Sequence, residues 1–194
     1  MKNKHIGILL GGMSAEREVS ITSGEAVYQA LTARGYRCTK IYVDRDIDRV
    51  LRQTPIDVAF IALHGTYGED GCIQGLLEIL GIPYTGSSVM ASALAMDKLK
   101  AKELFRLYNV PTPPYYCVGR YDTDRIAEIH GSFGVPAFVK PRRAGSSVGA
   151  GRAKDIQELE SLVEQAGRFD DSILVERFVQ GREIAVGVLD GRAL

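Results

Sequence analysis

Cysteine is scarce in this sequence of 194 residues, and long apolar runs are missing. The three cysteines, Cys38, Cys72 and Cys117, form no Cys-x-x-Cys motif, which argues against a disulfide framework or a zinc site. The apolar run 6–10 ends at two glycines, and it is too short for the core of a signal peptide or for a membrane span. We therefore expect a cytoplasmic protein with no membrane partner.

Excess charge of either sign is also missing, because 24 basic residues balance 24 acidic ones without a long run of either. Nucleic-acid binding proteins usually carry a clustered basic surface, so we expect no nucleic-acid partner. Hydrophobic residues make up 45% of the chain, which is enough to bury the core of one large domain or of two small ones.

The first half of the sequence alternates short apolar runs with helical patterns. Strands are predicted over 6–10, 37–43 and 57–63, and helices around 27–31 and 73–80. Ser20 and Ser23 are possible caps at the start of the first helix, and Gly35 is its predicted stop. The alternation predicts an open parallel sheet, whose ligand crevice lies beyond the carboxyl ends of the strands. The loops after Leu10 and Leu63 should therefore carry function.

The second half begins after three prolines in 110–114, which end the helical pattern that starts at Asp97. Strands are predicted over 137–140, 173–179 and 183–189, with a helix over 156–163. The last strand runs into Asp190-Gly191, a favoured hairpin turn, and only 192–194 follow. We therefore expect a fragment of a longer protein.

The predicted fold class is α/β, an open parallel-sheet domain followed by a small α+β lobe. We expect the parallel N-terminal domain over 1–95, a central lobe over 96–180, and the start of a truncated C-terminal lobe over 181–194.

A small-residue loop follows the strand that ends at Lys140, in the run Val-Lys-Pro-Arg-Arg-Ala-Gly-Ser-Ser-Val-Gly over 139–149. Glycines let backbone N–H groups approach phosphate oxygens closely, serines add hydroxyl donors, and a lysine supplies positive charge. A hairpin turn beside an ordinary surface lysine explains the same residues. The loop by itself leaves both interpretations open.

Other charged candidates are ambiguous when each is taken separately. Lys98, Lys100 and Lys102 share a predicted helix, where lysines are by default solvated. Glu176 and Glu183 flank a predicted turn, and their carboxylates could accept hydrogen bonds from an adenine amino group or ribose hydroxyls, or face solvent.

The loop after the first strand, 11–20, is rich in glycine but lacks the G-x-G-x-x-G pattern of a dinucleotide site. Glu16 in this loop could bind a substrate ammonium group, or it could be a carboxylate favoured at a helix start by the macrodipole. His64 ends the third strand and points at the same crevice, although a histidine in such a place is more often structural.

Taken together, these segments resemble the D-alanine:D-alanine ligase family of the ATP-grasp superfamily across essentially the whole chain. The runs that carry the resemblance are 9–20, 62–65 with 68–71, 84–98, and 139–149. The α+β lobe would then be an ATP-grasp lobe, with the C-terminal lobe absent. Ala144 departs from the acidic residue that many relatives have at that position.

The resemblance implies roles around the first substrate. Glu16 would hold the ammonium group of the first D-alanine, with Val19 in the same loop and His64 close to the substrate carboxylate. Ser146 would belong to the hydrogen-bonded set that positions loop and substrate, so that Glu16 and Ser146 are the implied catalytic residues.

The resemblance also implies an ATP site. Its implied residues are Lys98, Lys140, Ser146, Ser147, Glu176, Phe178, Val179 and Glu183. The lysines would contact the nucleotide, the two glutamates the adenine and ribose, and Phe178 and Val179 would line the adenine slot.

The implied reaction joins two D-alanines through an acyl phosphate made from ATP, for peptidoglycan precursor synthesis. Mg²⁺ would be bound by residues absent from this chain, so we expect no metal ligand here and no activity of the chain by itself. The longer protein would be a homodimer. Another ATP-grasp ligase, such as one joining D-alanine to D-lactate, and a non-catalytic nucleotide-binding module remain as alternatives.

Overall fold

The structure is a computed structural model that describes residues 3–131, 133–189 and 191–194. Its first part alternates strands and helices as predicted. The elements are β1 (His5–Gly11), α1 (Arg17–Ala33), β2 (Arg37–Val43), α2 (Ile47–Gln53), β3 (Val58–Ile61), α3 (Cys72–Ile79) and α4 (Val89–Met96). The three strands form a parallel sheet in the order β2-β1-β3, which confirms the predicted parallel α/β arrangement.

The central strand β1 is buried on both faces. Ile8, Leu9 and Leu10 are fully buried, as a continuous apolar run in a parallel sheet requires. Leu9 packs with Leu63 and Leu77 in the core of this part. The carboxyl ends of β1 and β3 therefore open at one edge, where the two predicted functional loops begin.

The predicted caps of the first helix were wrong. α1 begins at Arg17, so Ser20 and Ser23 lie inside the helix. The buried Ser20 hydroxyl accepts a hydrogen bond from the Gly11 amide at 2.9 Å and donates one to the Ala62 carbonyl at 2.7 Å. It serves the tertiary structure, because it fastens α1 to the ends of both β1 and β3.

The second part is built on an antiparallel sheet. Its elements are α5 (Lys98–Leu107), β4 (Tyr115–Gly119), a 3₁₀ helix (Thr123–Arg125), α6 (Ile126–Ile129), β5 (Ala137–Pro141), β6 (Gly151–Ala153), α7 (Ile156–Ala166) and β7 (Ser172–Arg177). The strand order is β4-β7-β5-β6. Leu159 and Val163 of α7 pack with Val139 and Val175, so α7 covers one face of this sheet and encloses a second core.

The opposite face of this sheet carries the polar candidates. Glu176 of β7 pairs in register with Phe138 of β5 and with Tyr115 of β4. Lys140 lies two residues beyond Phe138 on β5, so it shares the face of Glu176. One face is thus apolar and covered by α7, while the other presents charged side chains.

The strand predicted over 183–189 was mostly wrong. Only Val188–Leu189 forms a strand, β8, which pairs with β9 (Arg192–Ala193), and the residues before it are irregular and exposed. Alternation produces a strand only where a neighbouring strand accepts its hydrogen bonds, and within the described residues β9 is the single partner of β8. Asp190 of the predicted turn lies outside the described residues.

The two sheets lie on either side of the region where we predicted the first domain boundary, and the boundaries near 95 and 180 remain predictions. β7 ends at Arg177, so Phe178 and Val179 follow the strand instead of completing it as predicted. Among the helices of the described residues, none combines the length and the apolar character needed to span a bilayer.

Candidate active site

The loops after β1 and β3 lie against each other. The Ser14 hydroxyl donates a hydrogen bond to the His64 carbonyl at 2.7 Å and accepts one from the Glu16 amide at 3.2 Å. The Glu16 carboxylate rests on Gly65, where an added Cβ would stand 2.6 Å from Oε2. Gly65 must therefore lack a side chain for Glu16 to occupy this position next to His64.

The His64 ring is held at the edge of the site. Its Nε2 lies 3.3 Å from the Ser23 hydroxyl, and its Nδ1 lies 3.8 Å from Oε1 of Glu69. The other oxygen of Glu69 accepts a hydrogen bond from the Gly65 amide at 2.8 Å. Glu69, which we did not predict, thus braces both the ring and the loop on which Glu16 rests.

The glycine-serine loop of the second part reaches the same carboxylate. The Ser146 hydroxyl donates a hydrogen bond to Oε1 of Glu16, and a Cβ on Gly145 would stand 2.9 Å from Oε2. Ser146 and Ser147 have φ values of 45° and 59°, in the left-handed region that non-glycine residues rarely occupy. Such strained positions cluster at functional sites. The buried Glu16 therefore joins both parts of the chain.

An open cavity of about 640 Å³ lies beside this junction. Glu16 and Gly145 line it, together with Tyr67, Arg143 and Phe169. It is large enough for a small polar molecule, and the Glu16 carboxylate and the glycine-serine loop form part of its wall.

A second polar cluster occupies the charged face of the antiparallel sheet. Lys140 forms an ion pair with Oε1 of Glu176, and Lys102 forms one with Oε2 at 2.6 Å. Burial lowers the pKa of Lys102 to about 8 and that of Lys140 to about 8, and the neighbouring ammonium groups of Lys102 and Lys98 add to the shift of Lys140. Two ammonium groups thus face one carboxylate, and the Lys98 ammonium group lies near that of Lys140, so that the cluster carries an excess of positive charge suited to a phosphate chain.

Lys98 links this cluster to the glycine-serine loop. Its ammonium group donates to the carbonyls of Pro141, at 3.1 Å, and Ala144, while its backbone amide donates to the Arg142 carbonyl at 3.1 Å. Burial lowers the pKa of Lys98. In this state Lys98 shapes the backbone at the start of the loop.

Asp97 anchors the same segment. It caps α5 by accepting from the Lys100 amide at 3.2 Å, and both its oxygens accept from the Arg142 guanidinium at 2.7 Å. Burial raises the pKa of Asp97, but the hydrogen bonds from Arg142 and Lys100 outweigh it, and the net shift is downward. A bidentate, charge-assisted pair of this kind fixes orientation as well as distance.

Several predicted residues lie apart from these contacts. Val19, Val179 and Glu183 are exposed, and Glu183 makes no hydrogen bond or ion pair within the described residues. Phe178 lies under the Arg152 guanidinium, 4.2 Å from its ring centre. The structure brings Glu16, Ser146 and His64 to one junction, and Lys98, Lys140 and Glu176 to the neighbouring cluster.

Sequence reasoning missed Lys102, which we expected to be solvated and which is buried. Its spacing of four residues from Lys98 places both on one helix face, and that signal was available. Ser14 and Ser20 gave no such signal, because their partners, His64 and Ala62, lie 50 and 42 positions away, in the segment that follows β3.

Comparisons with known proteins agree along the chain. Residues 46–87 match the family model described as the D-ala D-ala ligase N-terminus, and residues 104–194 match its C-terminus model. A D-alanine--D-alanine ligase of Geobacter sulfurreducens is 55% identical over all of this chain. The crystal structure of D-alanine--D-alanine ligase from Bacillus anthracis superposes on 98% of it with a TM-score of 0.86 at 36% identity. A crystal structure of the Bacillus anthracis ligase complexed with ATP superposes on 98% of this chain with a TM-score of 0.84, at 34% sequence identity.

The chain covers only part of the length of each of these relatives. The chain spans 61% of the Geobacter sulfurreducens protein, 62% of the first Bacillus anthracis structure and 64% of the second. Two models of one family are matched in order, and the fold is shared along nearly the whole length of the chain. The chain therefore belongs to the D-alanine--D-alanine ligase family.

Proposed function

We propose that this chain provides the first-substrate loop and one wall of the ATP site of a D-alanine:D-alanine ligase. The observation that carries the proposal is the hydrogen bond from Ser146 to Glu16. It sets the glycine-serine loop, which has the composition of a phosphate-binding loop, directly against a carboxylate placed to hold an ammonium group. Substrate and nucleotide would then meet at this junction.

The proposed reaction has two steps. The carboxylate of one D-alanine attacks the γ-phosphorus of ATP, which forms an acyl phosphate and releases ADP. The amine of a second D-alanine then attacks the acyl carbon, phosphate leaves, the amine loses a proton, and the peptide bond remains. The acyl phosphate must be protected from water, so both steps need a closed and positively charged site.

Within this scheme the junction residues bind and orient the first D-alanine. Glu16 accepts hydrogen bonds from its ammonium group, Ser146 fixes the Glu16 carboxylate, and His64 lies near the substrate carboxylate. Val19 belongs to the same loop. Holding the reacting groups in place supplies much of the rate enhancement of such reactions.

The second cluster binds the nucleotide in this proposal. Lys98, Lys140 and Ser147 contact the phosphates, and Glu176 accepts a hydrogen bond from the adenine amino group. Glu183 contacts the ribose, and Phe178 with Val179 lines the adenine slot. The shared face of Lys140 and Glu176 supports this assignment, because one bound nucleotide can reach both side chains.

Mg²⁺ accompanies ATP in phosphoryl transfer and neutralises the developing charge. Across residues 3–131, 133–189 and 191–194, no group of three or more His, Cys, Asp or Glu side chains is placed to hold a metal ion. These residues do not fit a magnesium site. A cytoplasmic location and a homodimeric assembly complete the proposal.

A chimera tests this function. Residues 1–194 are joined to the part of the Geobacter sulfurreducens ligase that the match leaves out, and phosphate release is measured with ATP, Mg²⁺ and D-alanine. We expect D-alanine-dependent turnover with D-alanyl-D-alanine as product, and Glu16→Gln should lower kcat/KM by about 10²-fold or more. The exposed Glu18, two residues away, provides the matched control Glu18→Gln, which should have little effect.

Two results would contradict the proposal. A folded chimera that hydrolyses ATP at the same rate with and without D-alanine would indicate a different substrate. A chimera that makes more product with D-lactate than with D-alanine as the acceptor would indicate the ester-forming member of the superfamily.

A further inference from the structure

Glu176 is held between two lysines that differ in their access to solvent. The side chains of Glu176 and Lys102 are 7% and 8% exposed, whereas that of Lys140 is 24% exposed. Each lysine takes a different carboxylate oxygen. Lys102 therefore lies on the protein side of Glu176, and Lys140 lies on the open side, where a nucleotide would enter.

Lys102 has further partners that keep it in place. Its ammonium group donates to the Thr112 hydroxyl at 2.6 Å and to the Pro113 carbonyl at 3.3 Å, and it lies 4.9 Å from the centre of the Tyr115 ring. These partners belong to the segment that enters β4. Lys102 thus bridges α5, this segment and β7, and these contacts hold its ammonium group beside Glu176.

We propose that Lys102 is the permanent counter-ion of Glu176 and Lys140 an exchangeable one, which makes Lys102 a positioning residue that selects 6-amino purines over 6-oxo purines. This inference rests on the proposed function, because it takes the cluster as the nucleotide site. When Lys140 moves to the phosphates, Glu176 keeps one cation behind it and stays ionised.

The selectivity follows from hydrogen-bond chemistry. An ionised carboxylate only accepts hydrogen bonds, so it suits the amino group of adenine and repels the carbonyl oxygen of a 6-oxo purine. A buried carboxylate without a cation takes up a proton and becomes a donor, which a 6-oxo group accepts. Without Lys102, Glu176 would therefore lose its preference when Lys140 turns to the phosphates.

The test compares ATP with inosine triphosphate, whose base carries a 6-oxo group in place of the amino group. KM for each nucleotide is measured in the chimera, and Kd by calorimetry on the 194-residue chain. Lys102→Met should raise the KM for ATP about tenfold, which is the effect expected for the loss of a hydrogen bond to a charged group. The KM for inosine triphosphate should stay within about threefold of its value in the unmodified chimera. kcat should change little, and Lys102→Arg should restore much of the preference.

Two further variants control the experiment. Lys100→Met removes a surface lysine of the same helix that pairs with Glu103, and it should change neither KM. Thr112→Val removes one anchor of Lys102, so the ammonium group is held less firmly beside Glu176 and the ATP preference should fall about threefold. Thr112→Val decides the matter if Lys102→Met does not fold.

If Lys102→Met folds and the ratio of its two KM values is unchanged, the inference is overturned. If Lys102→Met does not fold, an unchanged ratio in Thr112→Val overturns it. Equal weakening of both nucleotides would overturn it as well, because it would indicate a role in general stability. The proposed nucleotide site fails separately, if Lys140→Met and Glu176→Ala also leave ATP binding unchanged.

Discussion

Ser146 donates its hydroxyl hydrogen to the carboxylate of Glu16, across 130 positions of the chain. The bond joins the loop after β1, in the parallel sheet, to the loop after β5, in the antiparallel sheet. Glu16 is buried, and Gly65 and Gly145 both leave room for it. The position of the carboxylate is therefore decided by three segments that are remote in sequence.

Removing this bond should impair catalysis more than stability. Ser146→Ala leaves Glu16 without one fixed partner, so we expect kcat/KM for D-alanine in the chimera to fall about 10- to 100-fold, as for the loss of one positioned hydrogen bond to a charged group. Ser161→Ala, at an exposed serine of α7, is the control and should leave the rate unchanged. Equal rates for both variants would show that Ser146 does not position Glu16.

Gly65, in the loop after β3, and Gly81, after α3, provide a matched pair of glycines. Their φ values are 68° and 67°, but an added Cβ meets Glu16 at Gly65 and nothing within 4 Å at Gly81. Alanine at either position should cost about 1–2 kcal/mol of stability through left-handed strain. Only Gly65→Ala should also raise the KM for D-alanine, about tenfold or more, because it displaces the carboxylate. A similar KM in both variants would contradict this.

Asp97 should stabilise the chain in a pH-dependent way. Its folded pKa lies below the ordinary value of 3.8, because the bonds from Arg142 and Lys100 outweigh burial. The contribution is therefore fully present above the unfolded pKa and is lost as the pH falls through the lower folded value. At pH 7, Asp97→Asn should lower the free energy of unfolding by about 2 kcal/mol, and the difference from the native chain should shrink toward pH 3.

Urea unfolding at a series of pH values measures this effect. Asp46 forms a surface pair with Arg49 that is about two-thirds exposed on both sides, so Asp46→Asn is the control and should cost less than about 0.5 kcal/mol. A cost for Asp97→Asn that is no larger than for Asp46→Asn would show that the buried pair does not lock α5 to the segment after β5.

The 194-residue chain without any added segment should release phosphate from ATP and D-alanine at no detectable rate. The described residues hold no group of three or more His, Cys, Asp or Glu side chains placed to bind a metal ion, and the loss of one preorganised electrostatic group already costs about 10²- to 10³-fold. The assay is phosphate release beside the chimera at equal concentration. Turnover within about tenfold of the chimera would contradict this expectation.

Local sequence was sufficient for the class of the fold and for part of its elements, although it did not predict α2, α4, β4, α6 or β6. The apolar run 6–10 predicts the buried strand β1, the prolines in 110–114 end α5, and the spacing from Ile156 to Val163 predicts α7. These features depend on backbone preferences and on hydrophobic periodicity, which neighbouring residues determine. The glycine-serine loop after β5 was visible for the same reason, and the ligand roles of its residues remain predictions.

Tertiary packing decided the rest. The alternation of apolar and polar residues over 183–189 predicts a strand, but only its last two residues form one. A strand needs a pairing partner, which the local pattern does not specify. Lys102 became a buried counter-ion because α5 lies over the charged face of the antiparallel sheet. Glu16 accepts a hydrogen bond from Ser146 only because the loops that follow β1 and β5 lie against each other. Periodicity shows which residues can face a core, but the burial of a charge depends on which distant segment supplies its partner, and that is settled by how the elements pack.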